Sequence, residues 1–126
     1  MIKTMNNTFE AYFMPGFTTF KQIHGQLTVA NDNLQMHDDA GKVLFNIGRP
    51  TIVSITDDMR SMKIKTTEKK YILFFYDNKK LMPKSLFFGS VAISNKTMSE
   101  SQELCLRVLQ SLQSAGYQIE LNKHRQ

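Results

Sequence analysis

The feature that most constrains this chain is the alternation of apolar and polar side chains in short runs between residues 17 and 76, broken every few positions by turn-forming residues. A period of two puts alternate side chains on opposite faces of an extended strand, whereas a helix repeats its apolar residues at three- and four-residue steps. The runs predict strands over residues 17–23, 26–30, 33–38, 43–47, 51–56, 62–67 and 70–76. Between them stand His24-Gly25, Asn31-Asp32, Asp39-Ala40-Gly41, Arg49-Pro50, Asp57-Asp58 and Glu68-Lys69, residue types that suit tight turns. Connections this short join antiparallel neighbours, so the pattern is a meander and not a series of βαβ units.

The same alternation assigns an inner face: Leu27 and Val29, Leu34 and Met36, Val43, Phe45 and Ile47, Val53 and Ile55, Met62 and Ile64. Residues 71–76 are apolar on both faces, which requires a second cover. A helix expected over residues 99–115 supplies it. Ser99 and Gln102 stand in capping-box spacing, and Gly116 is placed as a left-handed stop. Cys105, Val108, Leu109 and Leu112 make its apolar stripe, with Glu103, Arg107, Gln110 and Gln113 on the wet side. Residues 1–16 read as an N-terminal extension, 77–98 as a connecting segment in which 86–93 form an eighth strand or a packed loop, and 116–126 as a tail. In that tail Tyr117, Ile119 and Leu121 alternate as a short edge strand would. The expected whole is one domain of 126 residues, mainly β with one C-terminal helix: a seven-stranded antiparallel meander forming a partly open barrel capped by the helix.

Composition supports a folded core, since 41% of residues are hydrophobic and 21% charged, close to ordinary globular usage. The lone Cys105 can form no internal disulfide and no cysteine-rich metal cage. The first seven residues lack the apolar stretch of a secretory leader, and no run approaches the roughly 18 apolar residues of a membrane-spanning helix. A cytoplasmic, reducing location is therefore expected. The net charge of +5 favours phosphate-rich surfaces, nucleic acid or an anionic membrane leaflet.

Several segments between residues 17 and 76 resemble the pleckstrin-homology superfold, in particular its GRAM-like and bacterial PH-like members. They are Gly25-Gln26-Leu27-Thr28-Val29, Leu34-Gln35-Met36, Ile47-Gly48-Arg49-Pro50-Thr51-Ile52-Val53-Ser54-Ile55, and Met62-Lys63-Ile64-Lys65-Thr66-Thr67 leading to Lys70-Tyr71-Ile72-Leu73-Phe74. The resemblance implies a partly open barrel plugged at one end by the C-terminal helix and used to bind lipids, peptides or proteins. Phosphoinositide-binding members carry a cluster of lysines and arginines between their first two strands. The corresponding Lys21-Gln22-Ile23-His24-Gly25 has one full charge, so phosphoinositide recognition is not carried over.

No phosphate-binding glycine loop, nucleophile elbow or zinc-type histidine spacing is present. His24, His37 and His124 are far apart, and Asp38-Asp39 and Asp57-Asp58 fall in expected turns, where aspartate hydrogen-bonds the nearby backbone. Cys105 falls on the apolar stripe of the helix, where a thiol acts as a small hydrophobe. The expectation is a chain with no catalytic activity, no metal and no cofactor.

Basic residues are densest between Arg60 and Lys84. Arg60, Lys63, Lys65, Lys69 and Lys70 are expected to gather on one hairpin as the ligand-binding patch, and lysines guarding a solvated sheet edge would give the same pattern. The functional expectation is a binding module docking to a protein partner or an anionic membrane surface, with nucleic-acid binding as the alternative.

Overall fold

The computed structural model describes residues 7–15, 21–77 and 90–123. Seven strands follow in order: β1 Thr8–Met14, β2 Ile23–Val29, β3 Asn33–Asp38, β4 Val43–Gly48, β5 Ile52–Asp57, β6 Ser61–Thr66 and β7 Lys70–Phe74. A helix, α1 Ser90–Ser114, comes after them. All strand pairs are antiparallel, in the order β4-β3-β2-β1-β7-β6-β5, and the sheet stays open between β4 and β5. This strand order, closed by a C-terminal helix, is a pleckstrin-homology-like fold.

The buried core follows the expected inner face. Leu27, Leu34, Met36, Ile55, Met62, Ile64 and Leu73 are fully enclosed, and α1 lays Cys105, Val108, Leu109 and Leu112 against them. Two expected core residues are not in it. Val53 is 58% exposed because β5 carries a register shift between Ile52 and Ser54, which turns the extra residue outward. Val43 is 47% exposed because it starts the edge strand β4, next to a second register shift between Met36 and His37.

The first strand lies earlier than the alternation suggests. Residues 8–14, read as part of an extension, form β1 with Ala11 and Phe13 facing the core, while Ile23 opens β2. Of the expected strand at 17–23, residues 17–20 lie outside the described residues. Gly25, expected in a turn, sits inside β2 opposite Asp38. A Cβ on Gly25 would stand 1.8 Å from the His37 carbonyl oxygen, so glycine marks close backbone approach there and no turn.

The helix also starts earlier than expected, since Ser99 lies well inside it and caps nothing. A serine three residues before a glutamine marks a start only where the preceding chain is not helical. Residues 90–93, considered for an eighth strand, open the helix, and 86–89 lie outside the described residues. Its end is where expected. Gly116 has φ +95°, Tyr117 N donates to Leu112 O at 2.9 Å, and Gly116 N donates to Gln113 O at 3.0 Å, together a Schellman stop. Beyond it the tail makes one parallel bridge, Glu120 to Thr56, on the outer edge of β5.

Two polar side chains bind the parts together. Arg49, in a 3-10 turn at Arg49–Thr51, donates to Asn31 O at 2.7 Å, to Ala115 O at 3.0 Å and to Gly116 O. Asp57 is buried at the end of β5 and accepts from Met59 N at 2.8 Å and Asn122 N at 3.1 Å. Its carboxylate thereby shapes the β5–β6 turn, where Met59 takes φ +74°, and holds the tail.

Candidate functional site

Burial alternates along β6: Met62, Ile64 and Thr66 point inward, and Lys63 and Lys65 point out. Antiparallel partners that stand directly opposite share a face. Lys65 faces Lys70 on β7 and Ser54 on β5, while Lys63 faces Ile72 and Thr56. The outward surface of β5–β6–β7 is thus a slab of three exposed lysines with hydroxyls on one flank.

Thr66 fixes the hairpin end that holds this register. Its hydroxyl donates to Lys69 O at 2.8 Å and accepts from Glu68 N at 3.2 Å and Lys69 N at 3.0 Å. The Thr66 and Lys69 main chains close the turn with Thr66 N to Lys69 O at 2.9 Å. A side chain that bonds the backbone on both sides of a turn specifies where the flanking residues pair.

The expected five-residue patch is only partly assembled. Lys69 bends to the inward side of the sheet, its ammonium 5.0 Å from the centre of the Tyr71 ring, which packs against Phe13 and Phe45. Arg60 precedes β6 on the β5–β6 turn, and its carbonyl accepts from Phe75 N at 3.0 Å. The length of β6, ~20 Å at about 3.3 Å per residue, lies between Arg60 and the β6–β7 turn. Lys63, Lys65 and Lys70 remain together.

Their electrostatics is one-sided. Lys63 has Asp58 at 3.9 Å, a long contact between exposed groups. Lys65 and Lys70 have no ion pair among the described residues. Like charges directly opposite in a ladder repel. Edge protection does not explain them, since β6 and β7 are interior strands and β5 carries the edge.

The other polar candidates hold the backbone. Asp38 Oδ1 accepts from Ala40 N and Lys42 N, both at 2.9 Å, and shapes the β3–β4 turn as its residue type suggests. Asp58 faces Lys63, and Asp57 is buried as described. The sequence did not reveal that His24 meets Glu10 and Asp39, because those three are separated along the chain and joined only by strand register. No group of three or more histidine, cysteine or acidic residues able to hold a metal occurs among the described residues. No helix of the described residues is long and apolar enough to cross a membrane.

No protein-family model matches the chain, and no curated protein matches it. Among solved structures it is similar to the N-terminal PH domain of the human ARAP2 protein, at 8% identity and a TM-score of 0.47, over 91% of this chain and 87% of that one.

Proposed function

We propose that this chain is a non-catalytic binding module that docks to an anionic membrane surface through the outward lysine face of β6 and β7. The observation that carries this reading is the Lys65–Lys70 pair: two exposed lysines in directly opposed positions with no ion pair among the described residues. An external layer of negative charge removes the repulsion that the fold leaves uncompensated. A sheet face presents its lysines in one plane, which suits a broad charged surface, and each lysine near such a surface contributes about 1 kcal/mol. Three of them support weak, salt-sensitive association. A cytoplasmic setting goes with this reading, because anionic lipids are concentrated on that leaflet.

Cosedimentation with phosphatidylcholine vesicles, with and without phosphatidylserine, tests it. The expected result is binding only to the anionic vesicles, weakening steeply between low and physiological salt, where charges are screened beyond ~8 Å. Absence of binding at low salt would refute the membrane reading. A salt-dependent gel shift with RNA or DNA in that case would favour the nucleic-acid alternative.

A further inference from the structure

His24 on β2 stands between two carboxylates contributed by other elements. Its Nε2 is 2.7 Å from Glu10 Oε2 on β1, and its Nδ1 is 2.7 and 2.8 Å from the two oxygens of Asp39 in the β3–β4 turn. An ionised carboxylate only accepts hydrogen bonds, and neutral imidazole has one donor. Satisfying both acids at once therefore takes the imidazolium, which donates from both nitrogens.

We propose that His24 is a proton-dependent latch: protonated, it pins the β3–β4 turn to β1, and on losing its proton it releases one of the two carboxylates. The groups that face the ring among the described residues fit this. From β1 come Glu10 and the Tyr12 ring, whose centre is 5.0 Å from that of the imidazole. From the turn comes Asp39, while Asp38 beside it is occupied by the Ala40 and Lys42 amides. From β3, His37 faces Gln26, the next outward residue of β2.

The hydrogen bonds that His24 donates to Asp39 and then to Glu10 push its imidazole above its ordinary range, against partial burial, which pulls it down. Deprotonation takes the trio from one net negative charge to two. The neutral ring keeps a single donor, so it holds either the strand acid or the turn acid. The Asp38-capped turn survives release, because its own bonds do not involve His24. What changes is its attachment to the sheet.

Nuclear magnetic resonance titration of the full chain tests this, with His24→Gln identifying the ring resonances. The expected result is a His24 midpoint above the ~6.5 of an unperturbed imidazole, lowered in Asp39→Asn and in Glu10→Gln, with the Ala40 and Gly41 amides shifting at the wild-type His24 midpoint. A midpoint at or below ~6.5, or one unmoved by both substitutions, would overturn the latch. So would turn amides that ignore His24. Should Asp39→Asn not fold, Glu10→Gln removes the opposite partner from a strand already held by its ladder and decides the same question.

Discussion

The guanidinium carbon of Arg49 lies 4.5 Å from the centre of the Tyr117 ring, at the place where the helix ends against the sheet. Arg49 there donates to Ala115 O and Gly116 O at the helix C-terminus and to Asn31 O in the β2–β3 connection, while the Tyr117 hydroxyl donates to Ala30 O at 2.7 Å. A cation at this end complements the helix dipole, and its stacking on tyrosine adds to the hydrogen bonds.

Arg49→Ala should therefore destabilise the fold by about 1.5–3 kcal/mol, the usual range for losing hydrogen bonds to a charged group. Arg49→Lys should recover only part of this, because a lysine ammonium cannot reproduce the planar fork. Urea denaturation of the three proteins measures both. Equal stability in all of them would show that the helix end is held by packing alone.

Within the helix the apolar stripe should dominate. Leu109→Ala and Leu112→Ala should each cost about 2–5 kcal/mol as buried large-to-small changes. Both side chains are fully enclosed, whereas Leu106 is 40% exposed, and Leu106→Ala should stay within about 0.5 kcal/mol of wild type. Thermal melts of the three variants check the contrast.

Gly25→Ala should prove more damaging than its one methyl suggests. The added carbon would meet the His37 carbonyl at 1.8 Å, a backbone atom that can move only by breaking the β2–β3 ladder. A loss at or above the upper end of the 1–3 kcal/mol usual for overpacking, about 3 kcal/mol, is expected in chemical denaturation. A wild-type midpoint would contradict the pairing of Gly25 with Asp38.

These residues show where the fold was legible. From β2 to β6 most of the inner face could be read because one side of each strand is buried, and a one-residue slip would turn its apolar set to solvent. Val53 could not be read, because a bulge breaks the period without changing composition. Gly25 carried its signal, close approach, in the same letter that a turn uses. At the lysine face, outward alternation correctly joined Lys63 and Lys65, and Lys70 follows from the hairpin register. Arg60 and Lys69 are near in sequence but part in space, one at the far end of β6 and the other over Tyr71. Local density in the chain does not distinguish the faces of a sheet.

His24 gives stability a pH dependence of definite sign. Its folded-state pKa is raised, first by the Asp39 hydrogen bond and then by Glu10. Its contribution is thus fully present below the unfolded value of ~6.5 and is lost as pH rises through the folded value. The melting difference between wild type and His24→Gln should be larger at about pH 5.5 than at about pH 8.5. A difference independent of pH would mean that packing, not the proton, holds the ring.

The central claim concerns the place of the charge and not its amount, so two double charge reversals should be compared in vesicle cosedimentation: Lys65→Glu/Lys70→Glu on the β6–β7 face, and Lys42→Glu/Arg107→Glu on the β3–β4 turn and the wet side of the helix. All four side chains are exposed, and both variants change the net charge equally. The expected result, with folding verified by circular dichroism, is that the first variant loses binding to phosphatidylserine vesicles at low salt while the second retains most of it. Equal loss in both would contradict the account, since net charge alone would then explain the attraction.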